Sequence, residues 1–158
     1  MMEPNTIIDE RFVIKALART GGMGSVYRAL DRSTGQQVAL KLLHELSDDY
    51  ARFRHEARIL SSLAHPHVVP FVAYGTRAEG QPYIAMEWIE GESLTERLGR
   101  EGLTIVETLS LARGVTSALM TAHAQGIVHR DLKPSNLMLP RGDVAAVKIV
   151  DFGTARLA

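Results

Sequence analysis

Four residues in one short stretch have the types and spacing to handle a phosphorylated ligand: Asp131, Lys133, Asn136 and Asp151. They sit in His129-Arg130-Asp131-Leu132-Lys133-Pro134-Ser135-Asn136 and in Asp151-Phe152-Gly153. The side-chain oxygens of Asp131, Asn136 and Asp151 suit a hard cation such as Mg²⁺, which usually arrives with substrate phosphates rather than in an all-protein cage. Lys133 adds a cation beside them. Between the two clusters run Leu137-Met138-Leu139 and Val147-Lys148-Ile149-Val150, parted by Pro140-Arg141-Gly142-Asp143. Two short apolar runs about a polar turn predict a β-hairpin with carboxylates at both ends. Either cluster alone reads as an ordinary polar surface turn. Both together at this spacing favour a metal–phosphate site built on a hairpin.

The elements that must position this stretch come before it. Arg11 to Ala18 alternates weakly and reads as a strand. Thr20-Gly21-Gly22-Met23-Gly24 follows, then a second strand through Ser25-Val26-Tyr27-Arg28-Ala29. Glycines let the backbone turn tightly and bring N–H groups close to phosphate oxygens. A plain glycine hairpin is the alternative. Gln37 to Leu43 is a third strand, and alternation places Lys41 on the same face as Ala39. A lysine flanked by leucines either snorkels to water or meets an anion. Ser47-Asp48-Asp49 offers helix caps and acidic first-turn residues for a helix from about Tyr50 to Leu63. Its apolar stripe is Tyr50, Phe53, Ala57 and Leu60. Glu56 lies beside that stripe, either solvated or, if covered, in need of a partner. His65-Pro66-His67 breaks the helix, and neither histidine has a metal-ligand partner at useful spacing. Val68 to Tyr74 and Pro82 to Met86 read as two further strands.

Around Glu90-Gly91-Glu92-Ser93 the pattern turns helical. Ser93 to Arg100 reads as a short helix. Thr104-Ile105-Val106-Glu107 has the form of a capping box and opens a long helix to Gln125, with Gly126 as its C-terminal glycine. Ile105, Leu109, Ala112, Val115, Leu119 and Ala122 form one stripe, while Leu111 and Ala118 lie off it, so the helix is expected to be covered on more than one side.

Composition bounds the rest. The chain has 158 residues, 46% of them apolar, enough for a packed core. Acidic and basic residues balance to a net charge of zero, which gives no field for nucleic acid or an anionic membrane as main partner. With no cysteine, disulfides and thiolate metal sites are excluded. Met1 to Glu10 lacks the basic start and apolar run of a signal peptide, and no segment has the apolar length of a membrane span. The expectation is a cytoplasmic protein with no membrane segment.

The motifs, taken together, resemble the catalytic domain of eukaryotic-type serine/threonine protein kinases in their bacterial form. That family pairs H-R-D-L-x-x-x-N with D-F-G. Lys133-Pro134 resembles the serine/threonine branch. Val38-Ala39-Leu40-Lys41 is similar to the family's V-A-I-K, and Gly21, Gly24 and Val26 fall on its G-x-G-x-x-G-x-V loop, with Arg19 in place of the first glycine. The likeness runs from Arg11 to Arg156. It implies an α+β, protein-kinase-like fold. Residues 1–10 would be an N-terminal extension, 11–89 a five-stranded antiparallel lobe with one helix, and 90–158 the hinge and the first part of a mainly helical lobe.

It also implies roles. Asp131 would accept the proton of a substrate hydroxyl and Lys133 would steady the transferring phosphoryl group. Asn136 and Asp151 would hold Mg²⁺. ATP would be held by Gly21, Gly22, Gly24, Val26, Ala39, Lys41, Met86, Glu87, Trp88 and Met138, with Glu56 paired to Lys41. Val26 and Ala39 would sandwich the adenine, Met86 would be the gatekeeper, and the Glu87-Trp88-Ile89 backbone would read the adenine edge. Phe152 and His129 would pack with Leu60. The implied reaction is transfer of the γ-phosphoryl group of Mg·ATP to a serine or threonine of a protein substrate. The chain stops at Ala158, before the activation loop and A-P-E segment that the likeness leads one to expect. That predicts an exposed apolar face on the helix from Ile105 to Gln125, open to a partner chain that would cover the truncated lobe. It also keeps in play a non-catalytic, pseudokinase-like ATP-binding module acting through a partner, and an incomplete gene product.

Overall fold

The computed structural model describes residues 2–21, 24–43, 49–77, 80–152 and 156–157. The expected helix caps Ser47 and Asp48, and the glycines Gly22 and Gly153, lie outside them, as does the side chain of Tyr50. Two compact units divide the chain. The first takes Met1–Ala57 and Phe71–Trp88, the second Arg58–Pro70 and Ile89–Ala158.

The first unit is built on an antiparallel sheet. Its strands are β1 (Ile7–Ile8), β2 (Phe12–Thr20), β3 (Gly24–Asp31), β4 (Gln37–Leu43), β5 (Phe71–Thr76) and β6 (Pro82–Glu87), in the order β1-β2-β3-β4-β6-β5. Five of these are the strands expected from sequence. The sixth, β1, comes from the segment expected to be an extension. It pairs Ile7 with Val13 and Ile8 with Phe12. Register shifts between Ile14 and Ala16 and between Leu17 and Arg19 break the alternation of β2, which is why that strand reads weakly in sequence.

One face of the sheet is the core: Ile8, Phe12, Ile14, Tyr27, Ala29, Val38, Leu40, Leu42, Tyr83 and Ala85 are buried together, with Met2 packed against them. Each fully buried Phe, Leu or Ile contributes about 1.5–3 kcal/mol. A polar clasp ties the start of the chain to this sheet. Arg11 Nε and Nη2 donate to the two carboxylate oxygens of Asp31 at 2.9 and 2.7 Å, and Ser33 N and Oγ donate to Oδ1 at 3.0 and 2.7 Å. Asp31 is fully buried. The hydrogen bonds from Arg11 outweigh its desolvation and hold its carboxyl well below the usual range. Tyr83 Oη donates to Asp9 Oδ2 at 2.5 Å.

α1 (Asp49–Ser62) buries Phe53, Ala57 and Leu60 as its stripe requires. The second unit holds β7 (Gly91–Ser93), α2 (Leu94–Arg100), α3 (Ile105–Ala124), β8 (Ile127–Val128), β9 (Leu137–Pro140), β10 (Lys148–Ile149) and β11 (Arg156–Leu157). β10, β9 and β7 form a three-stranded sheet, and β11 pairs with β8. Ser93 and Thr104 each close a full capping box, with Glu96 and Glu107.

α3 packs differently from its expected stripe. Val115 and Ala122 are buried, but so are Gly114 and Ala118, while Ile105, Leu109 and Ala112 are exposed. The helix seats through its small residues. A Cβ on Gly114 would lie 2.9 Å from Val147 Cγ1 and 3.0 Å from the His67 ring. That close approach is fixed by His67 Nδ1 against Val147 O at 2.8 Å and His65 Nε2 against Ser117 Oγ at 3.0 Å. The opposite side carries the exposed apolar residues Ile105, Val106, Leu109 and Met120.

Candidate functional site

In the first unit the candidate residues converge on one face of three neighbouring strands. Val26 of β3 pairs with Lys41 of β4, and Ala39 of β4 pairs with Met86 of β6. Strand alternation puts Val26, Ala39 and Lys41 on the side opposite the core residues Tyr27, Leu40 and Leu42. Met86 is buried at the end of β6, Glu87 is exposed, and Trp88 is half-buried just beyond. Gly21 N donates to Gly24 O at 2.9 Å, closing the turn between β2 and β3. Gly24 must be glycine here: a Cβ would stand 2.2 Å from Leu42 O, inside the backbone of β4.

Lys41 is the centre of this group. Its Nζ donates to Glu56 Oε1 at 2.8 Å and to Oε2 at 2.6 Å. The Glu56 side chain is 1% exposed and that of Lys41 12%. Burial this deep requires each charge to have its partner. The solvated alternative for Glu56 is therefore not what the fold adopts. The Phe53 ring, one helical turn before Glu56, lies 5.9 Å from the same ammonium. Phe53 was legible only as core. Its i, i+3 spacing to Glu56 is the signal that places both on the Lys41 side.

In the second unit the hairpin forms as expected. β9 and β10 pair with Met138 opposite Lys148 and Leu137 opposite Ile149. A 3₁₀ turn at Pro134–Asn136 leads into β9, with proline at its first position. Asn136 is buried. Its Nδ2 donates to Asp131 O at 2.9 Å and its own carbonyl accepts from Val150 N at 3.1 Å. Asn136 thus ties the Asp131 loop to the segment that ends in Asp151. With Nδ2 committed, Oδ1 is its acceptor end. Lys133 Nζ donates to Asp131 Oδ2 at 2.6 Å, with both side chains open to solvent. Asp151 is half-buried, and Met138 is half-buried on β9 between Lys148 and Ser93.

His129 and Phe152 brace these residues. Their rings lie 4.8 Å apart and both are buried. Burial holds the His129 imidazole below the usual histidine range. Its Nδ1 accepts from Asp131 N at 3.3 Å, as a neutral ring can. Leu60 is buried as well.

An Mg²⁺ ion fits these donors. An amide oxygen and carboxylates are hard ligands, and one or two of them with phosphate oxygens make the usual Mg²⁺ shell. Among the described residues no group of three or more His, Cys, Asp or Glu gathers into an all-protein cage. No helix among them is long and apolar enough to cross a membrane.

Comparison with known proteins agrees with these motifs. A family model described as protein kinase domain matches residues 14–158. The chain is 39% identical over 154 residues to serine/threonine-protein kinase pkn3 of Myxococcus xanthus, covering 93% of this chain and 28% of that protein. It is 41% identical over 166 residues to a probable serine/threonine-protein kinase of Streptomyces coelicolor, covering 98% of this chain and 24% of the relative. It is also 41% identical over 156 residues to serine/threonine-protein kinase PknA of Mycobacterium tuberculosis, covering 92% and 36%. The chain thus spans a quarter to about a third of the length of these relatives.

Proposed function

The chain belongs to the protein kinase domain family, and from that premise we propose that it carries the ATP-handling residues of a serine/threonine protein kinase. The reaction is transfer of the γ-phosphoryl group of Mg·ATP to a serine or threonine hydroxyl of a protein substrate. The observation that carries this is the two-oxygen grip of the buried Glu56 on Lys41. A buried ammonium fixed in this way is a preset anchor for phosphate oxygens, at the end of the strand face formed by Val26 and Ala39.

In such transfers the protein supplies positioning and charge stabilisation. Val26, Ala39 and Met86 would hold the adenine, with the Glu87-Trp88 backbone on its edge. The glycine-rich segment between β2 and β3 and the Lys41 ammonium would take the phosphates. Met138 would belong to the nucleotide set, as the family resemblance implies. Asn136 Oδ1 and Asp151 would hold Mg²⁺, whose charge offsets that of the phosphates. Asp131 would take the proton of the incoming hydroxyl. Lys133, already paired to Asp131, would move onto the phosphoryl group in transit. A kinase that draws on ATP would work in the cytoplasm.

One observation favours a second reading, a nucleotide-binding module that works through a partner chain. The exposed Ile105, Val106, Leu109 and Met120 lie on one side of α3, and apolar residues gathered on one exposed face commonly mark an interaction site. A radiolabel transfer assay with a generic protein acceptor separates the two. Transfer that disappears in Asp131→Ala supports the kinase. A chain that melts higher with Mg·ATP, shows no such rise in Lys41→Ala, and transfers nothing supports the module.

A further inference from the structure

Arg28 stands on β3 two residues beyond Val26, so both side chains emerge on the same side of the sheet. It pairs with Ala39, which in turn pairs with Met86. Its guanidinium lies over the indole of Trp88, 5.4 Å from the ring centroid. That is inside the reach of about 6 Å at which a cation is attracted to an aromatic face.

Gln37 holds both partners. Its side-chain Oε1 accepts from Arg28 Nε at 2.5 Å, and its backbone carbonyl accepts from Trp88 N at 3.3 Å. Three elements meet in this triangle: β3 through Arg28, the start of β4 through Gln37, and the residue after β6 through Trp88. Val38 and Glu87 form the last register pair between β4 and β6. Trp88 is therefore the first residue past the sheet, and a backbone bond of 3.3 Å is a weak tether for it. The stacked guanidinium supplies a second one.

We propose that Arg28 is a positioning residue for nucleotide recognition, a role that rests on the kinase reading above. Oriented by Gln37 and stacked on Trp88, it holds the Glu87-Trp88 backbone in the conformation that meets the adenine edge. It acts through Trp88 rather than by touching the nucleotide. A planar guanidinium suits the task because it can stack and donate in its own plane at once, which an ammonium cannot.

Trp88 is the only tryptophan in the chain, so its emission reports on this position alone. The test uses the full 158-residue chain as wild type, Arg28→Ala, Arg28→Lys and Gln37→Ala. It reads tryptophan emission, hydrogen exchange of the Trp88 amide without nucleotide, and the dissociation constant for Mg·ATP. Arg28→Ala should shift emission to the red and raise both the exchange rate and the dissociation constant about two- to fivefold, the size of one ring–cation contact near the surface. Arg28→Lys and Gln37→Ala should fall between it and wild type. Wild-type emission and exchange in Arg28→Ala would overturn the proposal. So would altered emission with unchanged Mg·ATP affinity. A wild-type chain that ignores Mg·ATP refutes the kinase reading, and the nucleotide role of Arg28 falls with it. Emission and exchange then still show whether Arg28 holds Trp88.

Discussion

Glu56→Gln keeps the size of the side chain and removes its charge, leaving the Lys41 ammonium facing a neutral amide. Removing one partner of a buried ion pair costs about 3–5 kcal/mol, because the other charge stays desolvated. The Lys41 side chain retains 12% exposure, whereas Glu56 retains 1%. The ammonium can recover some hydration, which puts Glu56→Gln at the lower end, about 3 kcal/mol. Lys41→Met strands the more deeply buried carboxylate and belongs at the upper end, about 5 kcal/mol. In a domain of this size each kcal/mol moves the midpoint by about 2–4 °C, so Glu56→Gln should melt about 6–12 °C lower. The assay is a double-mutant cycle by urea and thermal unfolding, with Lys41→Met/Glu56→Gln as the fourth corner. The double variant leaves no unpaired charge and should be more stable than the sum of the singles predicts. Salt at half-molar should change the coupling little, because the pair is screened from solvent. Additive singles, or a Glu56→Gln loss under about 1 kcal/mol, would show that the pair is a surface contact in solution. The preset phosphate anchor would then lose its support.

Asp31 should make the stability of the first unit acid-sensitive. Its folded pKa lies below the unfolded value, so its contribution is complete above about pH 4 and falls as pH drops toward the folded value. Urea midpoints from pH 7 to pH 2 should fall less steeply in Asp31→Asn than in wild type, and parallel curves would refute the buried clasp. Gly24→Ala forces a Cβ to within 2.2 Å of Leu42 O and should cost about 1–3 kcal/mol in urea melts, with a weaker rise on adding Mg·ATP. A loss below half a kcal/mol would mean that β3 and β4 part easily at that end. Leu109→Lys on α3, at a residue 61% exposed, should leave the urea melt within about 0.5 kcal/mol of wild type. A large loss of stability there would show that this side of α3 is packed in solution.

The hairpin of the candidate site was legible because it is local. Asp131, Asn136 and Asp151 lie at fixed steps along one hairpin, and Pro140-Arg141-Gly142-Asp143 announces the turn between its strands. Thr104 and Glu107 likewise announce their capping box, and the fold forms it. The missed features are those set by partners distant in sequence. Ile7-Ile8 becomes a strand because Val13 and Phe12 are there to pair with it. Nothing in Asp31 by itself signals that it will be fully buried, since Arg11 lies twenty residues away and supplies the reason. The stripe on α3 failed for a related cause. Hydrophobic periodicity weighs Ile105 and Leu109 above Gly114 and Ala118, but close packing against His67 and Val147 needs small residues more than large ones. Apolar residues left outside by such packing are informative in their own right. On α3 these are Ile105, Val106, Leu109 and Met120, and the Leu109→Lys comparison reads that side of the helix directly.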